Sequence, residues 1–187
     1  MFIQTEATPN PATLKFLPGR AVLETGTLDL RDRDGAAAQS PLAERLFGVN
    51  GVTGVFFGSD FIAVTKDDAG EWQQLKPMIL GAIMEHFLSG APLLNAASAE
   101  QSDGDEFFDD ADAETVATIK ELIETRVRPA VANDGGDITF KGFKDGVVYL
   151  NMKGACSGCP SSTATLRHGI QNLLRHFLPD VTEVRPM

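Results

Sequence analysis

A chain of 187 residues with 43% apolar side chains has material for one large or two small cored domains and is too apolar to remain disordered. Its formal net charge of −10, with no large basic face anywhere, excludes a surface built for nucleic-acid phosphates. The longest apolar stretch, eight residues from Pro77 to Met84 even with proline and glycine counted, is far short of a membrane span.

The acidity is uneven: residues 1–95 sum to −4, residues 96–113 to −7 and residues 114–187 to +1. Two cysteines are too few for a disulfide framework and favour a reducing compartment. The opening MFIQTEATPNP has neither the basic-then-apolar character of a secretory leader nor the Arg/Ser-rich character of an organellar one. The expected location is therefore the bacterial cytoplasm, or the mitochondrial matrix for a matured organellar form.

Residues 1–95 read as a first domain. Thr13-Leu14-Lys15-Phe16 alternates polar and apolar, as a half-buried strand does. Ser40-Pro41-Leu42-Ala43-Glu44 has a capping serine, a first-turn proline and an early acid, the marks of a helix start. Val52 to Phe57 and Asp60 to Thr65 are β-rich runs parted by Gly58-Ser59, which predicts a hairpin. From Trp72 to Leu88 the residues Leu75, Ile79, Ile83, Phe87 and Leu88 recur at helical spacing, and Ser89-Gly90-Ala91-Pro92 stops the helix. Trp72 itself reads as a packing residue at the helix start.

Residues 96–113, AASAEQSDGDEFFDDADA, lack any periodicity and read as an acidic flexible linker. A calcium loop starting at Asp103 fails, because Phe108 stands at the sixth position, where the sharp turn needs glycine. Phe107 and Phe108 remain as an apolar pair able to dock.

Residues 114–187 read as a second domain of order α-β-β-α-β. Val116, Ile119, Ile123 and Val127 line one helix face, which Pro129 is expected to end. Asn133-Asp134-Gly135-Gly136-Asp137 reads as a turn. Ile138-Thr139-Phe140 and Val147-Val148-Tyr149-Leu150 form an antiparallel hairpin around Lys144-Asp145-Gly146. Pro160 opens a second helix with Leu166, Ile170, Leu173, Leu174 and Phe177 on its buried side, and Val181 to Val184 forms a last strand. The fold class is α+β: two small α+β domains joined by the acidic linker.

The chemistry concentrates in Gly154-Ala155-Cys156-Ser157-Gly158-Cys159-Pro160-Ser161-Ser162, which holds both cysteines where a strand runs out and a helix begins. A helix N-terminus offers unpaired N–H groups and partial positive charge, which lowers a thiol pKa and stabilises anions. Glycines let backbone fold closely around a bulky group. Three readings fit two such thiols. A thiol–disulfide pair shares the C-x-x-C at a helix start, although only 28 residues follow Cys159, too few for the rest of that fold. A zinc site needs four ligands; His86, His168 and His176 are better placed as surface or cap residues, which leaves an intermolecular site of two cysteines from each of two chains. An iron–sulfur cluster usually takes four thiolates, so two chains meeting face to face would complete it.

The sequence resembles the Nfu iron–sulfur proteins. In residues 114–187 the resemblance to the NifU C-terminal domain runs through Arg128-Pro129, Asp134-Gly135-Gly136-Asp137, the Gly154-to-Ser162 loop and Thr165-Leu166. Residues 1 to about 90 resemble the N-terminal domain of alphaproteobacterial and mitochondrial members through Thr8 to Phe16, Ser40-Pro41-Leu42-Ala43, Gly58 to Ile62 and Trp72. The resemblance implies a non-enzymatic carrier. It would bind a [4Fe–4S] cluster, or a [2Fe–2S] one, between two protomers through Cys156 and Cys159 and pass it to apo-proteins. The implied partners are a second copy of the chain, client apo-proteins and an upstream cluster donor, with no nucleic acid and no membrane. The N-terminal domain, having no cysteine, would serve partner recognition or structure. Asp134 and Asp137 look like a catalytic carboxylate pair, but the turn accounts for them. No nucleotide-binding motif is present.

Overall fold

Residues 2–96, 106–157 and 160–187 are described by a computed structural model, without the side chains of residues 160–162. Half of the expected linker, residues 97–105, therefore falls outside the described residues. The chain separates into two compact units, residues 1–102 and 103–187, each with its own core.

In the first unit, five antiparallel strands stand in the order β1-β2-β5-β4-β3. They are β1 (Gln4–Ala7), β2 (Thr13–Leu17), β3 (Leu28–Leu30), β4 (Val52–Phe57) and β5 (Ile62–Lys66). The β4–β5 hairpin forms as predicted, but its loop runs from Gly58 to Phe61, closed by the Gly58 amide donating to the Phe61 carbonyl at 2.9 Å. Phe61 folds back over Gly58 so closely that a Cβ there would lie 2.3 Å from its ring.

Helices α1 (Arg33–Gln39), α2 (Pro41–Phe47) and α3 (Trp72–Ser89) complete this unit. Ser40 caps α2, its hydroxyl accepting from the Ala43 amide at 3.2 Å. Leu75, Ile79 and Ile83 of α3 are buried at helical spacing in one core with Phe16, Val55, Phe57, Ile62 and Val64. Gly90, at φ 69°, ends α3 in the left-handed region. Trp72 packs at the helix start, its Nε1 donating to the Pro11 carbonyl at 3.1 Å. Leu88, expected on the apolar face, is exposed instead.

The second unit follows the predicted order. Helix α4 (Ala113–Leu122) passes through a π-helical turn, Ile123–Val127, into α5 (Arg128–Asn133). Pro129 therefore does not end the helical path. It sits in the first turn of α5, where its missing N–H costs least, after the wider π turn has re-aimed the backbone. Strands β6 (Gly136–Lys144) and β7 (Val147–Gly154) form the hairpin around Asp145-Gly146, both at positive φ, the conformation a two-residue hairpin turn needs. Helix α6 (Pro160–Phe177) then carries the chain to β8 (Glu183–Pro186), which pairs parallel to β7, so the sheet order is β6-β7-β8.

Val148, Leu150 and Met152 of β7 face inward against Val116, Ile119, Ile170 and Leu174. Phe177, expected in that face, is 46% exposed and lies 5.5 Å from the Arg126 guanidinium. The acidic stretch is not featureless up to residue 113. Phe107 pairs with Gly142 of β6, and Asp110–Asp112 form a 3₁₀ turn leading into α4. No helix among the described residues is long and apolar enough to cross a membrane.

Candidate metal centre

The cysteine loop lies between the end of β7 and the start of α6. Gly154 closes β7 at φ 67°, and the Ser157 amide donates to its carbonyl at 3.1 Å, which forms a tight turn. The Ala155 amide donates to the Gly135 carbonyl at 3.2 Å, tying the turn to the junction of α5 and β6. On its far side the Thr163 hydroxyl donates to the Cys156 carbonyl at 2.8 Å, so the first turn of α6 holds the loop as well.

Cys156 is buried and belongs to the second unit's core. Burial, followed by the nearby charges of Asp134 and Asp137, pushes its thiol up to about 12. The sequence led us to expect an exposed thiol lowered by the helix start. Here the side chain turns inward, away from water, and that burial, more than the nearby carboxylates, raises it. Cys159, the second expected ligand, lies outside the described residues. His168 and His176 stand exposed on α6, whereas His86 belongs to the first unit and is buried in α3, against the expectation of a surface position. Among the described residues no group of three or more His, Cys, Asp or Glu side chains could hold a metal ion. One chain's described residues thus offer a single thiol.

Two features escaped the sequence reading. The first is the cradle under Cys156. A Cβ at Gly136 would lie 2.7 Å from the Cys156 sulfur and 2.7 Å from the Lys153 carbonyl, so only glycine leaves the thiol its place. Gly136 pairs with Gly154, and two bare backbones therefore meet at the end of the hairpin. The second is an ion pair behind that cradle. Expected in a turn, Asp137 is in fact the second residue of β6 and buried. Arg128 donates to its Oδ1 through Nε at 2.8 Å and to its Oδ2 through Nη2 at 2.9 Å, and the Ile138 amide adds a third bond at 2.8 Å. These bonds to Asp137 are the main reason the Arg128 pKa is pushed above its ordinary value. Arg128 also donates to Glu124 at 2.6 Å. The nine-residue separation of an arginine and a carboxylate was visible in the sequence, but nothing there marked them as neighbours.

Comparison with known families gives two matches. Residues 3–90 match the model described as "Scaffold protein Nfu/NifU N terminal", and residues 119–185 match the "NifU-like domain". The chain is 51% identical over 185 residues to the Homo sapiens protein named "NFU1 iron-sulfur cluster scaffold homolog, mitochondrial", covering 98% of this chain and 71% of that one. To "NifU-like protein 4, mitochondrial" of Arabidopsis thaliana it is 50% identical over 186 residues, covering 98% and 65%. It thus spans about two thirds of the length of these relatives. Among solved structures, that of a NifU-like protein from Saccharomyces cerevisiae overlays 51% of this chain and 86% of its own, with a TM-score of 0.46 and 26% identity.

Proposed function

The chain belongs to the family of Nfu and NifU-like iron–sulfur scaffold proteins, and on that footing we propose that it carries an assembled cluster as cargo and delivers it to apo-proteins. In this reading Cys156 and Cys159 of each of two protomers ligate one [4Fe–4S] cluster, with two thiolates from each chain. The observation that carries it is the placement of Cys156 just past the end of β7, beside strand ends kept bare by Gly136 and Gly154, in a sequence whose second cysteine follows three positions later. A cluster held between chains is easily surrendered, because opening the dimer removes half of its ligands at once.

The burial of Cys156 fits a carrier better than a redox catalyst. A thiol raised to about 12 stays protonated and shielded, whereas a thiol–disulfide enzyme needs an accessible thiolate. Iron must displace that proton, so cluster uptake releases protons. The first unit contributes no thiolate, and its role is partner recognition or purely structural. In this reading the protein is a scaffold, as its relatives are named, and catalyses no reaction of its own.

Anaerobic reconstitution with iron and sulfide, followed by iron counting, visible absorption and gel filtration, tests this reading. One cluster per dimer is expected, lost on Cys156→Ala or Cys159→Ala with far-ultraviolet circular dichroism unchanged. A brown single subunit, or a Cys159→Ala protein that keeps its cluster, refutes it. A colourless dimer holding one zinc per two chains would instead favour the zinc reading, and turnover of a dithiol without iron the redox one.

A further inference from the structure

Strand β6 is the outer strand of its sheet, and its edge has a docked guest from the chain itself. The Phe107 amide donates to the Lys141 carbonyl at 3.1 Å, and the Phe143 amide donates to the Phe107 carbonyl at 2.9 Å, a one-residue parallel pairing. The receptor side is shaped for this guest. A Cβ at Gly142 would lie 2.3 Å from the Phe107 ring, so the absent side chain is the seat of that ring. Tyr149, opposite Gly142 on β7, sets its ring 5.2 Å from Phe107 at a tilt of 54°, and Phe140 meets Phe108 at 6.5 Å. Lys120 of α4 pairs with Glu106 at 2.5 Å while standing 5.8 Å from the Phe140 ring. An acid, two aromatics and a strand edge are thus recognised together.

The guest is only half seated, Phe107 and Phe108 each being 38% exposed, and two backbone bonds do not lock a strand in place. Beyond it the groove continues. A cavity of about 180 Å³ runs along β6, lined by Glu106, Lys120, Glu124, Arg128, Thr139 and Phe140. The Thr139 hydroxyl there is buried and finds no hydrogen-bond partner among the described residues. In the parallel register, residues preceding the aromatic of a docked peptide run from Gly142 back past Phe140 and Thr139 to Ile138, whose amide Asp137 already holds.

We propose that the β6 edge is a docking site for an extended acidic–aromatic segment of a client protein, and that Glu106-Phe107-Phe108 is its resident, displaceable occupant. An outer strand is a ready template for adding a strand from a partner. The resident segment shows the chemistry accepted: a carboxylate for Lys120, a ring over Gly142 and a second ring against Phe140. Docking here lays a client's chain beside the Thr139–Phe140 stretch of β6 and Lys120. The inference rests on the carrier reading only for the client's identity, not for the groove.

The test uses the full chain free of cluster and a fluorescein-labelled peptide of residues 104–112, GDEFFDDAD. A chain carrying Phe107→Ala with Phe108→Ala has its edge vacated and is expected to bind the peptide at least tenfold more tightly than the wild type. Adding Gly142→Val fills the ring seat and abolishes binding. Lys120→Glu in the vacated chain weakens binding at least fivefold, and a peptide with lysine in place of Glu106 restores it. Hydrogen exchange at the Phe143 amide reports the groove directly: protected in the wild type, open in the vacated chain, protected again on adding peptide. No binding to the vacated chain, binding indifferent to both Gly142→Val and Lys120→Glu, or self-association of the vacated chain in place of peptide binding each overturns the proposal. Failure of iron loading leaves all of these readouts intact, so the two readings fail separately.

Discussion

Replacing Arg128 by alanine is expected to destabilise the second unit heavily. The change removes two charge-assisted hydrogen bonds, at 2.8 and 2.9 Å, from a carboxylate whose side chain is 4% exposed. Each such bond contributes about 1.5–3 kcal/mol, and truncating one partner of a buried pair typically costs about 3–5 kcal/mol. A unit comprising residues 103–187 holds about 4–13 kcal/mol in all, so the loss takes a large share of it. Its melting temperature should fall by about 12–40 °C, at about 4–8 °C per kcal/mol for a domain of this size. Hydrogen exchange at the Ile138 and Leu150 amides reads the second unit's stability, while Trp72 fluorescence reports the first unit and should not move. Arg128→Lys keeps the charge but loses the two-pronged geometry and should fall between wild type and alanine. In an Asp137→Asn background the same Arg128→Ala change should cost much less, since the charge it leaves behind is gone. A cost below about 1 kcal/mol in the native background, or an equal cost in both, would show that the pair does not hold this junction together.

Gly136→Ala should destabilise the same unit by about 1–3 kcal/mol, because the new Cβ meets both the Cys156 sulfur and the Lys153 carbonyl at 2.7 Å and backbone must give. It should also speed reaction of Cys156 with a thiol reagent, read in a Cys159→Ala background; an unchanged rate and stability would refute the cradle. His86 sets an acid limit for the first unit. Burial, then the charge of Arg45, lowers its pKa below the ordinary 6.5, and neither ring nitrogen has a hydrogen-bond partner among the described residues. Around it, Arg45 of α2 pairs with Glu85 of α3 at 3.1 Å, and Arg20 stands over the adjoining Phe87 ring. The unfolded chain therefore binds the proton more readily. Stability contributed by neutral His86 is full above pH 6.5 and declines as the pH falls below that value toward the lower folded pKa. Trp72-monitored urea unfolding between pH 8 and 5 should show this decline, flattened in His86→Leu; identical slopes in the two proteins would rule it out.

The sequence by itself determined most of the helices and strands, though not β1, β3 or α1, and it marked the loop that carries the chemistry. Those signals are local. Period-two and helical spacings, the Ser40 cap, the Asp145-Gly146 turn and the glycine-bracketed cysteines each act within a few residues of chain. Pro129 misled because a proline signals a break only where the ladder before it is regular, and the π turn at Ile123–Val127 is not. Only the tertiary structure decided that β8 lies parallel to β7, that Phe107 seats on Gly142, that Asp137 meets Arg128 and that Cys156 turns inward against Gly136. Each of these joins residues whose pairing depends on which faces of the sheet and helices are already filled. Close packing and charge neutralisation are properties of that assembled neighbourhood, and no short stretch of the chain contains them.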